Sequence, residues 1–168
     1  MAHPAEYWIN NLNLTKHPEG GYFKETYRSD ETITKANLPN RFEGNRNFST
    51  AIYFLLKSND ISALHRIKQD EIWHFYYGSP LTIHIINKDG LYQQKKLGLA
   101  IGNSEQPQIT VKAGNLFGAT VNQGNSYTIV GCTVAPGFDF DDFDMPRRDT
   151  LLKEYPEHAE LIKKLTII

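Results

Sequence analysis

The chain has 168 residues, of which 40% are hydrophobic and 22% charged, with a net charge of −1. That balance suits one soluble domain over residues 1–168 with a core of its own, and it offers no electrostatic footprint for nucleic acid. The longest apolar run, Ala51 to Leu56, is far short of the roughly 20 residues of a membrane span.

Pro4 suits the first turn of a helix capped by His3, with Tyr7, Trp8 and Leu12 on its apolar side and an end near Asn13. His17-Pro18-Glu19-Gly20-Gly21 reads as a loop, because Pro18 and the paired glycines oppose both helix and strand. Tyr22 to Arg28 reads as a strand with Tyr22, Lys24, Thr26 and Arg28 on one face and Phe23, Glu25 and Tyr27 on the other. Asp30 to Asn47 is polar and reads as a long mobile connection or flap. Phe48 to Lys57 is a strand covered on both faces.

From Ile61 to Gly78, two strand-like runs flank a polar elbow, Arg66 to Asp70. In the second run, Glu71, Trp73, Phe75 and Tyr77 alternate with Ile72, His74 and Tyr76. If the runs bend around the elbow, His65 and Glu71 converge as an imidazole–carboxylate pair. Such a pair serves as a metal site, a proton-transfer site or a structural hydrogen bond. Leu81 to Asn87 and Leu91 to Leu97 form a hairpin around Asp89-Gly90. Further strands follow at Gln108 to Lys112, Leu116 to Val121 and Ser126 to Val134. Phe138 to Asp144 alternates aromatics with acids and reads as a packed arm with anchored rings and solvated carboxylates. Asp149 or Thr150 caps a helix ending near Tyr155, and Pro156 starts another. Many strands with helices only at the ends make an all-β sandwich or barrel.

The single cysteine, Cys132, excludes an internal disulfide and reads as a small buried hydrophobe. With no signal-peptide pattern after Met1, the expected location is cytoplasmic.

His65, Glu71 and Gly78 resemble the first motif of the cupin superfamily, His-x-His, three or four residues, Glu, six residues, Gly, with Ile67 in place of the second His. The segments His17-Pro-Glu-Gly-Gly-Tyr-Phe, Thr26-Tyr-Arg-Ser29, Leu64-His-Arg-Ile67, Asp70-Glu-Ile-Trp-His-Phe-Tyr76 and Val130-Gly-Cys-Thr-Val-Ala-Pro-Gly-Phe138 more closely resemble the cupin group called domain of unknown function 985, or cupin 5. The resemblance implies a double-stranded β-helix, the cupin jelly-roll barrel, with short terminal α-helices. It also implies a barrel pocket with Glu71 inward and a metal held by three His and one Glu. Those positions fall here on His65, Ile67, Glu71 and Phe117, so two of them have no lone pair to donate. No cofactor is expected; if a metal binds, its ligands come from His65, Glu71 and His74. Cupins that epimerise sugar nucleotides use a metal-free His base in a Leu-His segment, similar to Ala63-Leu64-His65.

The expected function is therefore small-molecule binding, with isomerase or epimerase chemistry in which His65 is the base and Glu71 orients it. The alternatives are a binding or sensing module without turnover and a metal-dependent dioxygenase or decarboxylase with an altered ligand set. His65 as a satisfied buried residue, and Glu71 in a buried salt bridge to Arg66 or Lys68, remain open. The expected ligand-binding residues are Tyr22, Glu25, Arg28, Trp73, His74, Phe75 and Phe117. Phe23 and Tyr77 add further rings for stacking, and Arg28, Lys24 or Arg66 could hold a carboxylate or phosphate. His17 and His84 read as loop and surface residues. A homodimer is expected, with Tyr22 to Arg28 as an exchanged edge strand.

Overall fold

A computed structural model describes residues 3–167. Helix α1 is Ala5–Asn11, and α2 (Arg148–Glu154) and α3 (Ala159–Lys164) close the described chain. The strands are β1 (Thr15–Lys16), β2 (Tyr22–Arg28), β3 (Thr32–Ile33), β4 (Arg46–Asn47), β5 (Thr50–Lys57), β6 (Ser62–Ile67), β7 (Asp70–Gly78), β8 (Leu81–Ile86), β9 (Tyr92–Leu97), β10 (Glu105–Gln106), β11 (Gln108–Val111), β12 (Leu116–Val121), β13 (Tyr127–Ala135) and β14 (Phe143–Asp144). One six-stranded sheet runs β1-β2-β5-β13-β7-β11, and a second runs β10-β9-β8-β12-β6-β14. The chain crosses between the sheets after β5, β6, β7, β10, β11, β12 and β13, which is the jelly-roll arrangement.

The inner faces meet in one apolar core that includes Phe54 and Trp73 from the first sheet and Ile83, Ile85 and Phe117 from the second. The outer face of the second sheet is not bare. Leu64, Ile86 and Leu116 pack under Leu151, Ile162 and Leu165 of the C-terminal helical segment. The inner core takes Leu81, Ile83 and Ile85 of β8, and this cover buries its outward side, including His84, which bonds Tyr92 Oη at 2.8 Å and Thr120 Oγ1 at 3.0 Å instead of facing solvent. Burial and the Lys164 ammonium hold its imidazole down to about 4. Helix α1 covers one end of the first sheet through Ala5, Leu55 and Ile129.

Several terminal and loop expectations need correction. The cap of α1 is Pro4, not His3, and α2 begins at Arg148 after Arg147; neither cap is closed by a side chain. The segment Asp30 to Asn47 is no free flap. Strands β3 and β4 pair within it, Phe42 is fully buried, and Arg46 is locked to Asp142 through two 2.6 Å bonds. Gln69 donates to the same carboxylate at 2.7 Å, so Asp142 is buried although the other acids of its arm lie nearer solvent. Strand β2 pairs with β5 along its length, while the two-residue β1 covers only Tyr22 and Phe23 on its other side, so Lys24 to Arg28 keep an open edge within the chain.

Candidate functional site

A cavity of about 230 Å³ opens between the sheets. The elbow after β6 carries the chain from the second sheet to the first, so His65 and Glu71 do not lie on neighbouring strands. They face each other across the sandwich, and both line the cavity. Trp73 follows Glu71 on the same face, opposite Cys132 of β13.

The floor is polar and buried. The turn from His17 to Gly21 puts two side chains on it. Gly20 and Gly21 adopt φ of 110° and 70°, and a Cβ at Gly20 would lie 2.1 Å from the Ile61 carbonyl oxygen. Only glycine allows this approach, and the Ala63 N–H then donates to the Glu19 carbonyl at 2.8 Å, tying the turn to β6. The Glu19 carboxyl accepts from Ser62 Oγ at 2.8 Å and lies 3.2 Å from His65 Nε2. Ser62 reaches it because a bulge between β6 and β12 breaks the alternation that would have sent Ser62 to the opposite face from His65. His65 Nδ1 bonds the Ala63 carbonyl at 2.7 Å, which fixes the proton there and aims the Nε2 lone pair at Glu19. His17 Nδ1 accepts from the Glu19 N–H at 3.3 Å.

Burial governs the protons of this floor. It raises the Glu19 carboxyl against the pull of His17 and Ser62, and pushes Glu71 up to about 7 against the pull of His65. It lowers both His65 and His17, so the imidazoles favour the neutral form. Cys132 is buried beside Glu71, and its thiol is raised by burial and by that carboxyl. The Trp73 indole N–H lies beside the Glu71 carboxyl and favours its anion, without meeting hydrogen-bond geometry to it.

The walls and mouth come mainly from β2, β5 and the arm after β13. Phe23 pairs with Phe54, Glu25 with Ile52 and Arg28 with Thr50, and all six residues line the cavity. Strict alternation separates Glu25 from Arg28; a bulge at Thr26 restores them to one side. Arg28 then grips Glu25 through Nε at 3.0 Å and Nη2 at 2.7 Å. Phe138, Phe140 and Phe143 line the opening, so the acidic-aromatic arm is part of the cavity wall.

Of the predicted site residues, His65, Glu71, Glu25, Arg28 and Trp73 line this cavity, and so does Phe23. Tyr22, His74, Phe75 and Phe117 do not. Tyr22 packs toward α1, and His74 bonds Thr133 Oγ1 at 3.2 Å on the half-buried far side of β7. Phe75 packs against the core, while Phe117 sits behind His65 with ring centroids 4.1 Å apart. A bulge in β7 opposite Ile129 and Val130 turns Tyr77 outward onto Trp8. Glu71 has no salt bridge to Arg66 or Lys68, which pair with Glu154 and Asp144, and with Glu43 and Asp142. The residues missed from sequence are His17, Glu19 and the arm phenylalanines. The paired glycines after Glu19 carried the only local signal, a turn that must approach another backbone closely.

The cupin metal set does not fit here. Ile67 lines the cavity where a His would stand, Phe117 is buried behind His65, and neither carries a donor atom. Among the described residues no group of three or more His, Cys, Asp or Glu is arranged to hold a metal, and no helix is long and apolar enough to cross a membrane.

Comparison with known proteins agrees with this architecture. An uncharacterised Saccharomyces cerevisiae protein is 32% identical over 162 residues, covering 90% of this chain and 80% of its own. A Shewanella oneidensis protein of solved structure is 36% identical with a TM-score of 0.90, covering 99% of both chains. A hypothetical Leishmania major protein is 34% identical with a TM-score of 0.90, covering 99% of this chain and 100% of its own. Oxalate decarboxylase from Bacillus subtilis shares the fold at 16% identity and a TM-score of 0.55, over 89% of this chain and 36% of its own. The profile described as "Cupin superfamily (DUF985)" matches residues 6–146, and the chain belongs to that family.

Proposed function

We propose that the protein binds a small polar molecule in the cavity between its sheets and moves a proton on it without a metal, as a sugar-type isomerase or epimerase. The observation that carries this reading is the cavity floor. There His65, with its tautomer fixed by Ala63, faces the Glu19 carboxyl at 3.2 Å and the Glu71 carboxyl pushed up to about 7. A proton shift beside a carbonyl needs one group to take a proton and another to return it near neutral pH. His65 Nε2 takes the proton from carbon, Glu71 returns one, and the unpartnered Trp73 N–H donates to the substrate oxygen. The apolar walls keep bulk water from competing.

Proton NMR in deuterium oxide with keto-sugars, aldoses and nucleotide sugars tests the reading. Deuterium should enter the carbon next to the carbonyl, and His65→Asn and Glu71→Gln should each abolish the exchange while the fold survives. Exchange that persists in both variants, or exchange with no member of the panel, refutes turnover. A second reading, binding or sensing without turnover, is favoured by one contact: His65 Nε2 is already engaged by Glu19. Binding without exchange would select it. The working form proposed is a cytoplasmic homodimer; sedimentation near the single-chain mass of 19.2 kDa would reject the dimer.

A further inference from the structure

Four carboxyl side chains reach the cavity: Glu19 and Glu71 on the buried floor, Glu25 and Asp139 toward the mouth. One guanidinium, Arg28, stands among them, and its donors are committed. Nε and Nη2 hold Glu25 at 3.0 and 2.7 Å, while Nη1 donates to Asn47 Oδ1 at 2.9 Å and to the Phe138 carbonyl at 3.1 Å. Lys24 and Arg66, the other candidate anion clamps, do not line the cavity. A carboxylate or phosphate entering here meets acids and no free cation. The walls point the same way, because the faces of Phe23, Phe54, Trp73, Phe138, Phe140 and Phe143 attract positive charge.

The indole N–H of Trp73 is an independent sign of a ligand. Trp73 is 1% exposed, lines the cavity and has no hydrogen-bond partner for its nitrogen. A buried donor left unpaired costs free energy until an acceptor fills the place. The Glu71 carboxyl lies beside this N–H without hydrogen-bond geometry between them, so the donor is open to an acceptor carried by a ligand. The cavity's volume of about 230 Å³ restricts the ligand to a small molecule.

We propose that the cavity takes a small organic ammonium of the amino-alcohol or amino-sugar type. Its charged nitrogen lies against Glu19 and Glu71 among the aromatic rings, and its oxygen accepts from the Trp73 indole N–H. This rests on the cavity being the functional site and names the class of molecule it accepts.

Benzylamine, benzyl alcohol and benzoate share a ring and differ in charge, so calorimetric titration with the three at pH 8 isolates the charge preference. Benzylammonium should bind at least about tenfold more tightly than the alcohol, and benzoate should give no binding. Glu71→Gln, checked for folding by circular dichroism, should bring the amine and the alcohol to similar affinity. Glu25→Gln, a change at the exposed mouth, should release Arg28 and give benzoate measurable affinity. Equal or tighter binding of the alcohol or of benzoate by the unmodified protein overturns the proposal. So does an amine preference that survives Glu71→Gln, or no binding of any of the three. If Glu71→Gln does not fold, the unmodified ranking and Glu25→Gln decide the matter. The ranking needs no turnover. An amine preference without deuterium exchange leaves this inference standing and fails the proton-transfer reading; exchange on neutral sugars with no amine preference does the reverse.

Discussion

Glu71→Gln should make the protein more stable at alkaline pH and nearly indifferent at acidic pH. The native cavity holds the Glu71 proton up to about 7, while an exposed carboxyl gives it up near 4.5. Between those values the native state binds more protons than the unfolded chain, so stability falls as pH rises. The contribution is fully present below 4.5 and is lost as pH rises through about 7. At roughly 1.4 kcal/mol per pH unit, the whole loss is ~3 kcal/mol. Glutamine keeps the shape and polarity of the protonated acid and cannot ionise, so the variant escapes this loss.

The imidazoles act with the opposite sign. Burial depresses His65 and His17, so each supplies stability above about 6.5 that is lost as pH falls through its lowered value. Both proteins carry these groups, and subtracting one stability curve from the other removes most of their effect. Urea unfolding at half-unit steps between about pH 5 and pH 8.5, with m-values compared at each step, reads the difference. The gap should open from under ~1 kcal/mol at pH 5 to ~3 kcal/mol in favour of Glu71→Gln at pH 8. A gap that stays constant with pH, or a variant that loses ground at high pH, would show an ionised and well-paired Glu71 and refute the reasoning.

Other perturbations follow from the same contacts. Asp142→Ala should cost ~3–5 kcal/mol in urea unfolding, because it strands the buried Arg46 guanidinium; a loss below ~1 kcal/mol would mean that the pair is solvated in solution. Gly20→Ala should cost ~1–3 kcal/mol through its positive φ and its collision with Ile61, and should weaken cavity ligands by displacing Glu19; unchanged stability and binding would refute the placement of that turn. The His84 ring, held down to about 4, should show no NMR titration between pH 8 and about 5.5, and a midpoint near 6.5 would place it outside the helical cover.

The strands were legible because burial on a pleated surface leaves a two-residue period, and apolar runs bounded by turn residues survive in almost any register. Tyr22–Arg28 and Leu116–Val121 have the bounds their patterns predict, and Asp89-Gly90 closes the hairpin it promises. His84 shows where a local pattern stops being informative. One polar residue in an apolar strand looks solvent-facing until distant helices cover it, and nothing near position 84 announces Ile162 or Leu165.

The site was less legible because it is built where the period breaks. Extra residues at Thr26 and Tyr76, and the irregular pairing of Ser62 with Ala119, each move a side chain to the face that alternation denies it. Arg28 joins Glu25, Tyr77 leaves the wall, and Ser62 comes within reach of Glu19. A bulge has little local signature, since its extra residue needs only a modest backbone change, so alternation assigns every later side chain in the strand to the wrong face. The elbow misled in another way. A bend within one sheet and a crossing between sheets look alike in sequence, and this elbow is a crossing; both arrangements turn His65 and Glu71 inward, so their meeting is common to both. What neither reading supplied was Glu19. Its carboxyl is delivered by a glycine turn that belongs to no strand, and it stands 3.2 Å from His65 Nε2. The proton balance of the cavity is therefore a property of four acid–base groups, His17, Glu19, His65 and Glu71, from three separate segments, and a substitution at one of them shifts the groups it faces.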